Sequence, residues 1–494
     1  MNYIGISNGF HDAGISVVDG YGDILFASHS ERYSGHKHSK DLCREIIKDA
    51  LAYVNDEWEL HYYEKPWLKI LRQIRSGEKP SFTNLVDSEL IGSNNFKLLG
   101  SEKIHKHSHH LSHAAAGFQT SPFNDATVVV VDAIGEFDTI TIWDAHYDKY
   151  GKAKYKKIYS KKYPNSIGLF YSAMTHKVGL RPMDEEYILM GMAAYGEPKY
   201  LQEMIDEYIH SFKNFDFKQN LHIGASPDFL PNADHMDIAS SAQHLVEYFI
   251  KQVMAKARMI GKSRNLVYGG GVALNCLANR LIGDYFENIW IMPNPGDAGS
   301  SLGAACLGYG GRVNWHDAYL GHNIAGDYPV NSLLDVLLTD RIVGVASGRA
   351  EFGPRALGNR SLLADPRGNE IKDKVNGIKR RQKFRPFAPI ILEEYVHQYF
   401  DMPRNWDNSR YMQVISRCRH PDLFPAIVHH DGTSRVQTVP KDGTGIRELL
   451  EKWFVLTGCP MLLNTSLNIR GEPMVNNRSD ADRFENLYGV KVLS

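Results

Sequence analysis

Three short segments near the start, Tyr3 to Ser7, Ile15 to Val18 and Ile24 to Ser28, are apolar runs separated by HDAG and DGYGD. Apolar runs of this length bounded by Gly and Asp predict a β-meander closed by tight turns. Thr127 to Asp132 (TVVVVD) is almost wholly apolar and predicts a buried strand ending in a carboxylate. Between Ala242 and Met259 the period changes, with Leu245, Phe249, Val253 and Ala257 four apart, the spacing of one helix face. Leu266 to Tyr268 then reads as a strand that runs into a glycine triplet, and Ile342 to Ser347 (IVGVAS) as another. Strands alternating with helical stretches predict an α/β architecture. The loop-like LGHNIAGDYPVNS after Tyr319 marks a change of domain, giving residues 1–320 and 321–494. No short-period repeat or low-complexity tract is present.

Composition narrows the class. A chain of 494 residues exceeds what one core supports, so more than one domain is expected. With 43% hydrophobic and 23% charged residues it reads as an ordinary globular protein, and a net charge of -1 supplies no global attraction to nucleic acid or anionic membrane. Five cysteines, never spaced C-x-x-C, indicate neither a disulfide framework nor a zinc knuckle. No run approaches the roughly 20 apolar residues of a membrane span, and MNYIGISNGF lacks the form of a signal peptide. The expectation is a cytoplasmic protein with reduced thiols.

Candidate chemistry falls into two groups. Near the C-terminus, GRAEFGPRALGNRS (Gly348 to Ser361), IKRRQKFRPFAP (Ile378 to Pro389) and LLNTSLN (Leu462 to Asn468) read together as an anion site. Arg355, Arg360, Lys379, Arg381 and Arg385 supply positive charge, and guanidinium forks match phosphate and carboxylate oxygens. Singly, each is an ordinary surface charge. Arg360 and Arg385, however, lie among Gly, Pro, Leu and Phe, which predicts partly buried guanidiniums that need an anionic partner. Ser466 and Asn468, two apart, share one face of an extended strand.

The second group lies in the first domain. In HKHSHHLSHAAAGF, His109 and His113 are four apart and would share a helix face suited to a divalent metal, with His110 and His113 as the alternative pair. Asp132 and Asp297 are the carboxylates available to complete the shell, although Asp297 also reads as a cap of the helix beginning near Ala298. Mixed His/Asp ligation suits iron, manganese or zinc better than calcium. VYGGGVALN (Val267 to Asn275) joins a strand to a helix, where backbone can approach a phosphate or ribose or simply pack tightly. His11, in the first turn, can act as a proton acceptor near neutral pH or serve as a turn residue.

The segments GFHDAG, HHLSHAAAGF, PNSIGLFYS, EYILMGMAAYG, GGGVALN, GDAGSSLGAA, GRAEFGPRALGNRSLLADPR, FRPFAP and LLNTSLNIRGEP, in this order, resemble the NodU/CmcH-type O-carbamoyltransferases over nearly the whole chain. The resemblance implies an N-terminal actin-like ATPase (ASKHA-type) domain, similar to the tRNA threonylcarbamoyl transferase subunit, followed by a YrdC-like domain. The second domain would use ATP and carbamoyl phosphate to form carbamoyl adenylate, and the first would transfer the carbamoyl group to a hydroxyl. Carried onto this chain, Lys379, Arg385, Ser466 and Asn468, assisted by Arg355, would hold the phosphates. His109, His113, Asp132 and Asp297 would ligate one metal, an iron by family likeness. His11 would be the base, and Gly269, Gly270, Gly271 and Asn275 would meet the nucleotide, with Mg2+ accompanying ATP.

Two departures stand out. Gln382 occupies the place of a family Glu before FRPFAP, and Leu467 that of a Phe. The acceptor would be a hydroxylated natural product or a hydroxymethylated pyrimidine nucleotide, and the aromatic stretches Trp58 to Trp67 and Phe212 to Pro231 are candidates for its pocket. A homodimer follows from family likeness. The rival readings are an RNA-modifying threonylcarbamoyl transferase and a non-catalytic nucleotide-binding protein.

Overall fold

The opening strand β1 (Asn2–Ser7) pairs antiparallel with β2 (Gly14–Val18), placing Ile4 opposite Val17, and parallel with β4 (Trp58–Tyr62). With β3 (Ile24–His29) on one edge and β5 (Ile104–Lys106) on the other, the sheet order is β3-β2-β1-β4-β5. A second sheet repeats the plan. The antiparallel meander β6 (Asp125–Gly135), β7 (Asp138–Tyr147) and β8 (Ala153–Lys162) is followed by Asn265–Gly269 and Asn288–Trp290, which add in parallel on the other side of β6. Each sheet, numbered from its own first strand, therefore reads third, second, first, fourth, fifth. This doubled strand order agrees with the actin-like fold that the family resemblance implies. The computed structural model describes all residues except Asp56, Ser101, Glu102, Phe384, Pro386 and Thr444.

Val128, Val129, Val130 and Val131 are all fully buried, so β6 is covered on both faces, as its unbroken apolar run requires. Two helices lie between the sheets, and small residues set how closely they pack. On Ser300–Tyr309, a side chain at Gly303 would meet the Ser112 carbonyl at 1.8 Å, and one at Gly5 of β1 would meet the Ser301 carbonyl at 1.8 Å. Across the neighbouring helix His109–Thr120, a side chain at Gly117 would meet Val267 at 2.5 Å. The layers are thus sheet, helix, helix, sheet; His109 and His113 lie at the start of one inner helix, Asp297 just before the other, and Asp132 on β6.

The chain divides into two compact units, Met1–Leu25 with Lys40–Trp315, and Phe26–Ser39 with His316–Ser494. The second half of β3 and the turn after it thus group with the C-terminal part. The second unit is also α/β. Its six-stranded mixed sheet runs Gln437–Val439, Ala388–Leu392, Met461–Ser466, Arg360–Ala364, Ile342–Ala346, Val492–Leu493. Its core includes Leu333, Leu337, Val343, Leu362, Ile390, Leu449, Leu462 and Leu467. Leu467, the replacement for a Phe, is fully buried there.

Several elements differ in extent from the sequence expectation. The long helix spans His235–Ile260, because the Asp234 carboxylate accepts from the backbone N–H groups of Met236 and Asp237 and starts it earlier. Strand β6 continues to Gly135, so Asp132 lies within it rather than at its end. Among the described residues, no helix is long and apolar enough to cross a membrane.

Candidate active site

The helix His109–Thr120 begins without a side-chain cap from Ser108. Its first N–H is met instead by Glu136, whose Oε1 accepts from the His109 backbone at 3.4 Å and from that of Lys65 at 2.6 Å. Burial pushes the Glu136 carboxyl up to about 7. One turn of helix then brings His109 and His113 onto the same face, their Nε2 atoms 3.1 Å apart. His110 leaves this face, its Nδ1 paired with Thr141 at 2.9 Å, so the His109 and His113 pair is the one the fold assembles.

Asp132 and Asp297 complete the cluster. Asp132 Oδ2 lies 3.1 Å from His109 Nε2 and 3.2 Å from His113 Nε2, while Asp297 Oδ1 lies 3.4 and 3.3 Å from them. All four residues are buried. Asp297 makes no side-chain capping bond; its carboxylate is turned to the histidines. Burial opposes charge on both carboxylates, yet the two histidines hold each well below its usual range. The same burial opposes protonation of His109 and His113, and the carboxylates overcome it and raise both.

These separations fit a metal. A tetrahedron with metal bonds of about 2.0 to 2.1 Å has edges of about 3.3 Å. The five measured edges here run from 3.1 to 3.4 Å. Each ring's outer nitrogen faces away, with His113 Nδ1 3.1 Å from Ser300 Oγ.

His11 adjoins the cluster. Its Nδ1 is 3.0 Å from Asp12 Oδ2 and its Nε2 is 3.8 Å from Asp297 Oδ2. Burial works against its charge, but the Asp12 hydrogen bond and the Asp297 and Asp132 carboxylates prevail and raise it to about 9. Accepting a proton near pH 7 therefore requires that the charge of those carboxylates be met by a cation.

The glycine triplet reaches the same place. The Gly271 N–H donates to Asp132 Oδ1 at 3.3 Å, and Gly270, at φ +87°, donates to the Pro295 carbonyl. A side chain at Gly270 would lie 2.2 Å from the Val131 carbonyl, so the turn needs glycine for both conformation and space. Gly269 ends its strand opposite Val130. Asn275 is occupied within the fold: it exchanges two hydrogen bonds with the Gln243 amide and caps the following helical turn through Ala278 N–H.

In the second unit, Lys379 follows the helix Asn369–Ile378 and turns its ammonium onto the end of Met461–Ser466. Nζ donates to the Ser466 carbonyl at 2.5 Å, the Asn468 carbonyl at 3.0 Å and Asn468 Oδ1 at 2.9 Å, with Ser466 Oγ at 3.2 Å. Ser466 Oγ in turn donates to Asn468 Oδ1 at 2.7 Å. Every partner is a neutral oxygen. Burial first, then the positive charges of Arg381, Arg385 and Lys37, depress the Lys379 ammonium well below its usual range. Arg381 is fixed by Asn376 Oδ1 and lies over the Phe387 ring. Arg385 is held through its backbone by Gln382 and Asn376, and Arg355 is half-buried. Of the FRPFAP segment, Phe384 and Pro386 lie outside the described residues.

Arg360 overturns one expectation. Its guanidinium is fully buried but donates to five backbone carbonyls, those of Asn476, Ser347, Asn359, His322 and Gly348. Backbone oxygens concentrated at the ends of neighbouring strands satisfy it, so it organises the loops and needs no anionic ligand. The aromatic cluster changes as well. Tyr62 and Tyr63 are 1% exposed, and Tyr62 donates to the Asn8 carbonyl, so both belong to the interior. Trp58 is tied to the Leu99 carbonyl, leaving Trp67, 51% exposed, as the open ring of that stretch.

Sequence reasoning passed over Glu64, Glu136 and Ser300, which stand behind the histidines. Charged or hydroxyl residues next to Lys65 or within GDAGSSLGAA look like surface or cap residues until the fold buries them.

With this geometry in view, the family follows. A model described as Carbamoyltransferase N-terminus matches residues 61–306, and one described as Carbamoyltransferase C-terminus matches residues 334–494. The chain belongs to the carbamoyltransferase family. It is 32% identical to Nodulation protein NolO of Bradyrhizobium diazoefficiens, over 76% of this chain and 75% of that protein. It is 29% identical to Nodulation protein NolNO of Sinorhizobium fredii, over 97% and 77%, and 31% identical to an uncharacterized Synechocystis protein, over 97% and 93%.

Proposed function

We propose that this carbamoyltransferase is ATP-dependent, takes its carbamoyl group from carbamoyl phosphate through carbamoyl adenylate, and passes it to a hydroxyl of a small molecule or a hydroxymethylated pyrimidine nucleotide. The single observation that carries this reading is the buried Lys379 ammonium, which donates to neutral oxygens of Ser466 and Asn468 and is depressed by burial and by the charges of Arg381, Arg385 and Lys37. A buried ammonium beside further positive charge favours an anionic ligand, and ATP with carbamoyl phosphate supplies several charges. In balance, ATP, carbamoyl phosphate and water yield carbamoyl adenylate, pyrophosphate and phosphate. Attack by the acceptor oxygen on the carbamoyl carbon then forms the carbamate ester and expels AMP.

In this proposal Lys379, Ser466 and Asn468 orient the phosphates, with Arg355 and Arg385 placed to neutralise charge that builds on phosphorus, and Mg2+ entering with ATP. Residues 321–494 form the activating domain and residues 1–320 the transfer domain. His109, His113, Asp132 and Asp297 hold one divalent metal, iron by family likeness, with manganese and zinc also suited to the donor set. That ion, when bound, supplies Lewis-acid stabilisation of negative charge on the carbamoyl oxygen. His11, beside Asp297, takes the acceptor proton on Nε2 while Asp12 holds Nδ1. Gly269, Gly270 and Gly271 leave space for the nucleotide part. Asn275 shapes that turn. A cytoplasmic homodimer belongs to the same proposal.

The test is incubation with ATP, carbamoyl phosphate and a panel of hydroxylated acceptors, followed by mass spectrometry. A product heavier by one carbamoyl group, formed only when ATP and carbamoyl phosphate are both present, supports the reading. Product formation that needs threonine and bicarbonate instead would overturn it.

A further inference from the structure

A histidine that binds metal through Nε2 must carry its proton on Nδ1, and a partner that accepts this proton fixes both tautomer and ring angle. His113 has such a partner in Ser300 Oγ, 3.1 Å from its Nδ1. His109 Nδ1 is buried and makes no hydrogen bond. The carboxylate that approaches it is Glu64, whose Oε2 lies 4.0 Å away.

We propose that Glu64 is the positioning residue for His109, holding the proton on Nδ1 so that the Nε2 lone pair faces Asp132, Asp297 and His113. This inference rests on the metal reading given above. Glu64 is buried, 4% exposed, at a point where a carboxylate needs a local reason to remain. Its other oxygen, Oε1, is anchored at 2.9 Å by Lys69 Nζ, which leaves Oε2 directed to the imidazole. The surroundings keep the ring in place: Tyr63 packs on His109 with centroids 5.2 Å apart, and Glu136 holds both the His109 and the Lys65 backbone N–H. Glu64 lies between Tyr63 and Lys65, so its position is set from either side. A separation of 4.0 Å is longer than a hydrogen bond. A small rotation of the carboxylate closes it, and a cation on Nε2 makes the Nδ1 proton a stronger donor.

The test uses the full chain, freed of metal by chelation, titrated with Zn2+ against a chromophoric chelator. Wild type should bind one Zn2+. Glu64→Leu should bind it about 10- to 100-fold more weakly. Glu64→Gln, which keeps an acceptor of the same shape, should recover most of that loss. Selective 15N-histidine spectra of the Zn2+-loaded proteins supply an independent readout: the His109 Nδ1–H signal should be shifted by a hydrogen-bond acceptor in wild type and Glu64→Gln and lose that shift in Glu64→Leu. Failure of wild type to bind Zn2+ overturns the metal reading itself. Binding by wild type with equal affinity in Glu64→Leu overturns only the role of Glu64, and equal weakening in Leu and Gln variants assigns it to fold maintenance. Because Glu64→Gln preserves volume and polarity, it keeps the test decisive if the leucine variant does not fold.

Discussion

Asn468 Oδ1 receives a hydrogen bond from Lys379 Nζ at 2.9 Å, across 89 residues of chain, and Ser466 Oγ donates to the same oxygen at 2.7 Å. The three residues form one polar cradle around an ammonium that burial and neighbouring cations make costly to charge. An anion placed there restores the balance. Lys379→Met should therefore reduce carbamoyl phosphate-dependent ATP consumption by about 100-fold or more, on the scale of a lost electrostatic contact in a dry site. Ser466→Ala should cost about 10-fold, chiefly in KM for the donor. Steady-state kinetics with matched circular dichroism spectra check both.

Arg360 predicts the opposite pattern. Its five carbonyl partners would lose this donor in Arg360→Met, a loss only partly covered by other bonds such as that from Ser347 N–H to the Asn359 carbonyl. The expected cost is about 3 kcal/mol or more in urea unfolding. In any variant fraction that remains folded, KM for carbamoyl phosphate should stay near the wild-type value, because the guanidinium faces loops rather than ligand.

The contrast between Lys379 and Arg360 shows what the sequence could reveal. Both stood in basic, glycine- and proline-flanked segments, and nothing local distinguished the cation proposed to meet a ligand from the one that holds loops together. That difference depends on where strand ends converge. His109 and His113 were legible because helical period alone brings them together, and the strand of Asp132 because an unbroken apolar run must be buried on both faces. The doubled sheet order was not legible from periodicity, since pairing partners lie more than 100 residues apart, as with β6 and Asn265–Gly269. Asp297 remained ambiguous for a physical reason: an aspartate before a helix is a cap until a competing partner turns it away. Tyr62 and Tyr63 misled because aromatic clusters line pockets and interiors alike.

Gly135 stands immediately behind the His109 and His110 rings. A methyl there would come within 2.4 Å of His109 Cδ2 and 2.5 Å of His110 Cδ2, so both rings would have to shift. Gly135→Ala should destabilise the fold by about 1 to 3 kcal/mol and weaken metal binding by displacing His109. Thermal unfolding and Zn2+ titration of the same sample check the two effects together.

A stack of histidines gives the protein an acid-sensitive point. His61 Nδ1 lies 3.0 Å from His107 Nε2, and burial, followed by the neighbouring imidazoles, pulls them down to about 4 and about 3. Both are neutral in the folded chain at pH 5, whereas in the unfolded chain each takes up a proton below about 6.5. Their contribution to stability is therefore complete above pH 6.5 and is lost as pH falls through the window down to about 4, by up to about 1.4 kcal/mol per pH unit for each histidine. Urea unfolding at pH 7 and pH 5 should show this fall in wild type and a shallower one in His61→Asn.

The central claim, that donor activation and carbamoyl transfer are separate chemistries held by different residues, is tested most directly by carbamoyl phosphate-dependent exchange of labelled pyrophosphate into ATP without any acceptor. The account predicts exchange in wild type, its loss in Lys379→Met, and its retention in His113→Ala even though that variant no longer carbamoylates an acceptor. Absence of exchange in wild type, or its disappearance in His113→Ala with the fold intact, would contradict the account.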